Sequence, residues 1–224
     1  AKFGEKTFIE GNFDKIRGYA SKVQELADAN ILCVLNSPNY AGTCYLFDDV
    51  TIAFTPFVAF DQEQFAAVIH HEAIGHGLGR LGDEYVYNNG VIDEKNKLDL
   101  MAMQAKGWFQ NLSLSPNNLP WSHFIGNPNY SMVGAFEGGF FFSDGVWRAE
   151  QNNCMINNIP YFNGPSREQI VKRTFQAAGL TYTWNDFVAK DKYEPYLKSA
   201  KILYPAIENE MFSPPVYLNK KLFE

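Results

Sequence analysis

Residues 70–84 read His-His-Glu-Ala-Ile-Gly-His-Gly-Leu-Gly-Arg-Leu-Gly-Asp-Glu. His71 and His76 bracket Glu72, and Asp83 and Glu84 follow shortly after. Those residue types suit one chemistry. Neutral imidazoles bind a divalent metal, a carboxylate beside them takes a proton from water, and one further carboxylate fills out the ligand set. The expected cofactor is Zn²⁺ and the expected chemistry is hydrolysis. Taken singly, each histidine reads as a packed or surface residue, Glu72 as a solvated helix residue and Asp83-Glu84 as a polar turn. Taken together beside four glycines, they read as a metal site.

The spacing departs from the usual pattern. An H-E-x-x-H motif sets its histidines four apart on one helical face. Here Glu72 follows His71 directly, but the second histidine is His76 and Gly75 stands at the four-residue position. On a regular α-helix, residues five apart point about 140° away from each other. Such a pair cannot share an ion. A π-bulge widens the turn and brings i and i+5 together, and these bulges are frequent at functional sites. Gly75 is a cheap residue at which to distort the backbone. His71 to His76 is therefore expected to form an H-E-x-x-x-H metal helix with a built-in bulge. It resembles the His-Glu-x-x-Gly-His element of dipeptidyl peptidase III, which has the same extra residue.

The surrounding chain must position these groups. Asp61 is the expected N-cap, with Gln64 completing a weak capping box. Phe65, Val68 and Ile69 give the helix an apolar face. Gly77 and Gly79 are expected to end it, so the chain can turn back and bring a third ligand. Asp83 is the expected third ligand, with Glu84 the alternative. His70 lies one residue off the ligand face and is expected to pack. Upstream, Phe13 to Ala29 reads as an amphipathic helix through Ile16, Tyr19, Ala20, Val23 and Leu26. Ile31 to Leu35 reads as a buried strand, and Tyr45 to Phe54 alternates weakly before the metal helix. Downstream come a helix over Lys97 to Trp108 and an Asn/Pro/Ser-rich loop from Ser113 to Tyr130. A helix follows from Pro165-Ser166-Arg167-Glu168-Gln169 to about Gly179, then one over Trp184 to Leu197 and a Pro-bearing tail.

Gly82-Asp83-Glu84-Tyr85, Asn153-Cys154-Met155 and several segments around them resemble the IgA-specific zinc metalloendopeptidase family, secreted bacterial peptidases of metzincin-like fold. Gly82-Asp83-Glu84-Tyr85 is similar to that family's (A/G)-D-E-Y signature. Ile31 to Asn36, followed by Tyr40-Ala41-Gly42, resembles its first core strand and loop. Pro120-Trp121-x-x-Phe124, Phe136-Glu137-Gly138-Gly139 and Gly145-Val146-Trp147-Arg148 resemble stretches that precede its Met-turn. Asn153-Cys154-Met155 resembles the Met-turn itself, and Pro160 to Arg173 the helix after it. The resemblance covers roughly residues 30 to 175. It implies an α/β fold: a metzincin-like catalytic domain with a twisted mixed sheet, an active-site helix ending in a glycine-rich turn, and a Met-turn. It implies Asp83 as third ligand. It implies that the strand before the metal helix lies at a sheet edge and pairs with an extended substrate; the plainer expectation there is an ordinary core strand. A secreted, cell-surface or periplasmic location follows from the same likeness. No leader is visible at Ala1, so the family reading implies that one was removed, with or without an N-terminal domain.

Composition sets bounds. A chain of 224 residues is expected to be one catalytic domain over 1–224. Its part to about residue 80 would hold the sheet and metal helix. Its part over 81–224 would hold the third ligand, the Met-turn and the later helices. The formal charge of −6 offers no basic surface for nucleic acid. No apolar run reaches the roughly 18 residues of a membrane span. Three cysteines are too few for a disulfide scaffold. Cys33 and Cys44 could pair or stand as two thiols, and Cys154 reads as packed.

The expected function is a secreted zinc-dependent endopeptidase acting on an extended protein or glycoprotein substrate. His71, His76 and Asp83 hold the metal and Glu72 is general base. Met155 would floor the site, and Tyr130, Tyr161 or His123 would steady the oxyanion. Arg148 would anchor a substrate carboxylate or pair with Glu150. Phe140 to Phe142 and Val146-Trp147 would line the cleft or fill the core. Two alternatives stand: a catalytically degraded, metal-binding module that binds protein or glycoprotein, and a non-peptidase metallohydrolase such as an amidase or deacetylase.

Overall fold

A computed structural model describes residues 2–3, 8–23, 25–57, 62–191 and 216–217. The chain is mixed α/β and forms two compact units, the first holding the elements up to Leu78 with strand Val216–Tyr217, the second those from Gly79 onward. No helix among the described residues is long and apolar enough to cross a membrane.

The first unit opens with a small ribbon, β1 (Lys2–Phe3) antiparallel to β2 (Ile9–Glu10). Helix α1 (Phe13–Ala20) follows, capped by the Asn12 side chain accepting from Lys15 N–H. It is nine residues shorter than expected, because β3 (Ala29–Leu35) begins where the helix was to end. The Ser21 N–H closes on Arg17 O, and Asp28 takes a left-handed φ of 57° with its N–H on Asp49 O. Ala29 is thereby aligned opposite Val50, a long-range pairing that helical periodicity does not register. Val23 is left 86% exposed instead of packed.

The segment expected as one strand over Tyr45 to Phe54 is a hairpin of β4 (Thr43–Leu46) and β5 (Val50–Pro56), turning at Phe47, whose N–H donates to Val50 O. β5 is buried throughout, with β4 antiparallel on one side and β3 parallel on the other. Among the described residues β3 is an edge strand of this sheet, so it alternates instead of burying both faces, and Val34 is 52% exposed. Strand Val216–Tyr217 runs parallel along the other side of β4. β4 is therefore flanked on both sides, in contrast to the open edge that the family resemblance implied. Tyr45, Phe47, Ile52 and Phe54 form the core, with Phe13 against three of these rings. No disulfide joins Cys33 and Cys44. They stand on β3 and β4 with β5 between them, and two strand spacings of about 4.8 Å exceed the reach of a disulfide.

The first unit closes with helix α2 (Gln62–Ile69) running directly into a π-helix, His70–Leu78. Val68 is buried on α2. The expected cap Asp61 lies outside the described residues. Gly77 sits within the π-helix, and the turn follows at Gly79.

The second unit carries a sheet in the order β6 (Val86–Val91), β9 (Phe141–Arg148), β7 (Leu112–Ser113), with β8 (Phe136–Gly139) also paired to β9. β6 is parallel to β9, and β7 and β8 are antiparallel to it. Helix α3 is Glu94–Ala105, three residues earlier than expected, because Asp93 caps it by accepting from Asn96 N–H. The expected loop from Ser113 holds two 3₁₀ turns, Ser122–Phe124 and Pro128–Tyr130. The short α4 (Cys154–Asn157) is capped by Asn153. α5 (Gly164–Ala177) starts at Asn163 with Pro165 in its first turn. α6 covers Trp184–Lys190; the expected extension to Leu197 and the Pro-bearing tail lie outside the described residues, apart from strand Val216–Tyr217. Trp121, Phe124, Tyr130, Trp184 and Phe187 build this unit's aromatic core.

Candidate metal centre

The π-helix supplies what the five-residue spacing requires. Its turn is one residue wider than an α-helical turn, so positions i and i+5 fall on one face. His71 and His76 accordingly lie together, both buried, with ring centroids 4.8 Å apart and Nε2 atoms 3.1 Å apart. Two nitrogens bound about 2.05 Å from one tetrahedral ion stand about 3.3 Å apart, so the observed spacing suits a shared ligand pair. The distortion runs through nine residues instead of one.

A wide helical turn needs outside support. Asn30 on β3 donates from Nδ2 to Ala73 O at 2.7 Å and accepts from the Thr51 hydroxyl at 2.9 Å. Gly77 makes room: a Cβ there would stand 2.5 Å from Asn30 Oδ1. Asn30→Leu removes both hydrogen bonds and is expected to destabilise the fold by about 1–2 kcal/mol. Urea unfolding measures this; an unchanged midpoint would count against Asn30 as the support.

Glu72 is fully buried beside Gly42, the residue before β4. A Cβ at position 42 would stand 2.5 Å from Glu72 Oε1 and 2.7 Å from its Cγ. Only glycine lets the carboxylate lie this close to the backbone. His70 is not in the buried ligand group and is only partly buried.

Asp83 completes the group. His71, His76 and Asp83 are buried and offer ligand atoms that all lie within 4.8 Å of one another. Two imidazole nitrogens and a carboxylate oxygen form a donor set fit for a divalent metal ion, so this group could hold one. Glu84, the alternative ligand, is committed elsewhere. Its Oε1 accepts from Asn111 Nδ2 at 2.8 Å, and its Oε2 from Asn153 Nδ2 at 2.7 Å. Burial pushes its carboxyl up to about 7, against the opposing pull of the two amides. Its own N–H donates to Met155 O. The stretch is pinned again by the first residue of β9 and the one before it. Phe140 N–H reaches Asp83 O and Phe141 N–H reaches Tyr85 O, with both phenylalanines at left-handed φ of 46° and 75°. Bulky residues rarely adopt that conformation.

The other expected site residues lie in the second unit with partners there. Tyr130 OH donates to Asp191, Tyr161 OH to Glu150, and His123 Nε2 lies 3.0 Å from Glu168. Arg148 neither pairs with Glu150 nor stands free; it donates to the Glu137 and Gly138 carbonyls on β8. Phe140 and Val146 are core, while Trp147 packs against the aromatic cluster. Met155 and Cys154 are fully buried. Asn30 and Asn111 belong to no motif that marks them, and Gly42 and Asn153 stand in family-like segments that give neither residue a role of its own.

No family model matches this chain, and no curated protein matches it.

Proposed function

We propose that the chain is a secreted zinc-dependent endopeptidase that hydrolyses an extended segment of an extracellular protein or glycoprotein. The observation that carries this reading is the buried His71–His76–Asp83 group with Glu72 directly after the first histidine. In it Zn²⁺ is the metal, residues 153–155 are the Met-turn, and the fold is a metzincin-like catalytic domain. A mixed nitrogen and oxygen donor set on a buried site suits zinc.

His71, His76 and Asp83 would hold the ion. When bound, zinc supplies Lewis acidity, which acidifies water and polarises a carbonyl. Glu72 takes the proton of the attacking water and returns it to the leaving amine, acting as base and then as acid. Gly42 keeps the Glu72 carboxylate close against the backbone at the start of β4. The buried surroundings exclude bulk water, which strengthens each electrostatic contact there.

Glu72→Gln tests the reading, because it keeps the shape and removes the base. Zinc content is expected to persist while cleavage of an unstructured casein-like chain falls by about 10²–10⁴-fold. Wild-type protein that holds zinc but cleaves no protein chain would overturn the endopeptidase reading. Activity on small amides alone would then point to an amidase, and none at all to a binding module.

A further inference from the structure

Glu84 stands beside Asp83 yet turns both carboxylate oxygens away, toward two buried asparagines. Each asparagine has its polarity fixed by the backbone. Asn111 Oδ1 accepts from Gly82 N–H at 2.9 Å, while Asn111 Nδ2 donates to Gly82 O as well as to Glu84. Asn153 Oδ1 accepts from Met155 N–H at 2.8 Å, so only its Nδ2 can face Glu84. An oxygen held by a backbone N–H cannot be exchanged for an amide nitrogen without setting donor against donor. Neither asparagine can therefore flip, and position 84 must present two acceptors. A carboxylate does so; a glutamine of the same shape does not.

The consequence concerns the residue between the clasped positions. Gly82 is held by Asn111, and Glu84 by Asn111, Asn153 and Met155 O. Asp83 is bracketed by both, with its carbonyl fixed by Phe140 N–H. Glu84, Asn111, Asn153 and Asp83 are all at most 1% exposed, so water does not stand in for a lost partner. A hydrogen bond lost there leaves a buried group unsatisfied.

We propose that Glu84 is a positioning residue: with Asn111 and Asn153 it fixes the backbone on either side of Asp83, setting that carboxylate for metal binding and tying it to the Met155 turn. This rests on the reading of His71, His76 and Asp83 as a zinc site. Partners that orient a ligand from behind change metal affinity by about 10–100-fold when removed.

The test is a polarity swap read by zinc affinity, from competition with a chelator, and by melting of the metal-free protein. Glu84→Gln is expected to weaken zinc binding by about 10–100-fold. Asn153→Asp alone sets two carboxylates face to face and is expected to weaken it at least as much. The double variant Glu84→Gln/Asn153→Asp restores one acceptor for each donor, with the new carboxylate at 153 still capping Met155 N–H. It is expected to return within a few-fold of wild type. Should Glu84→Gln fail to fold, the double variant decides alone: folded with near wild-type affinity it upholds the proposal, folded with lost affinity it overturns it. Glu84→Gln that melts early yet binds zinc as tightly as wild type would also overturn it, leaving a purely structural role. Wild type that binds no zinc would instead sink the metal reading itself, a result separable from the others because it precedes any substitution.

Discussion

Protein purified without chelator is expected to carry about one zinc per chain, and His76→Ala is expected to lose it. Removing a direct ligand should cost more than the about 10–100-fold that an outer partner costs. The same loss is expected for His71→Ala, because the two Nε2 atoms stand 3.1 Å apart, within reach of one shared ion. Stability should follow the metal. An ion present at a hundred times its Kd stabilises the folded state by about 2.7 kcal/mol, so a chelator should lower the melting temperature of wild type by several degrees and leave that of His76→Ala unmoved. Elemental analysis and calorimetry decide it. Metal that survives His76→Ala would place the ion elsewhere, and the 3.1 Å approach would then be a hydrogen bond between the two rings.

Gly42→Ala is expected to abolish most activity without removing the metal. The added Cβ would fall 2.5 Å from Glu72 Oε1, 2.7 Å from its Cγ and 2.9 Å from its Cδ. Glu72 is fully buried and has no solvent into which to retreat. A displacement of about 1 Å at a reacting group costs on the order of 10²-fold in rate. Measured as kcat/KM at matched zinc content, Gly42→Ala should fall about that far. A rate near that of wild type would mean that Glu72 does not work from the position it occupies here.

The buried cluster of His71, His76 and Asp83, which could hold a metal ion, was legible in the sequence because the three fall within a single short segment. The wide turn was legible because a five-residue interval admits a shared ion only on a π-helix. What escaped was whatever depended on distant partners. Asn30 meets Ala73 across 43 positions, and Asn153 meets Glu84 across 69. A lone asparagine carries no periodicity, and its role depends on which carbonyl or carboxylate the fold delivers to it. β3 was misread as doubly buried for a like reason. Its run of apolar residues is the same whether or not a second strand joins it, and here none does among the described residues. α1 was read too long because amphipathic spacing continues past Ala20, while the Asp28–Asp49 contact that starts β3 leaves no trace in that spacing. The α/β class itself needed none of this detail, since strands and helices each show their own local pattern.

Strand Val216–Tyr217 pairs with Tyr45–Leu46 across about 170 residues of intervening chain. During synthesis, which proceeds at about 5–20 residues per second, β4 must therefore wait for roughly ten seconds or more with one side unpaired. An unpaired strand side is a template for the wrong neighbour. The whole second unit is synthesised in that interval, before the last strand of the first unit's sheet. Pairings of such long range slow folding, because the closure entropy is lost before the contact is gained.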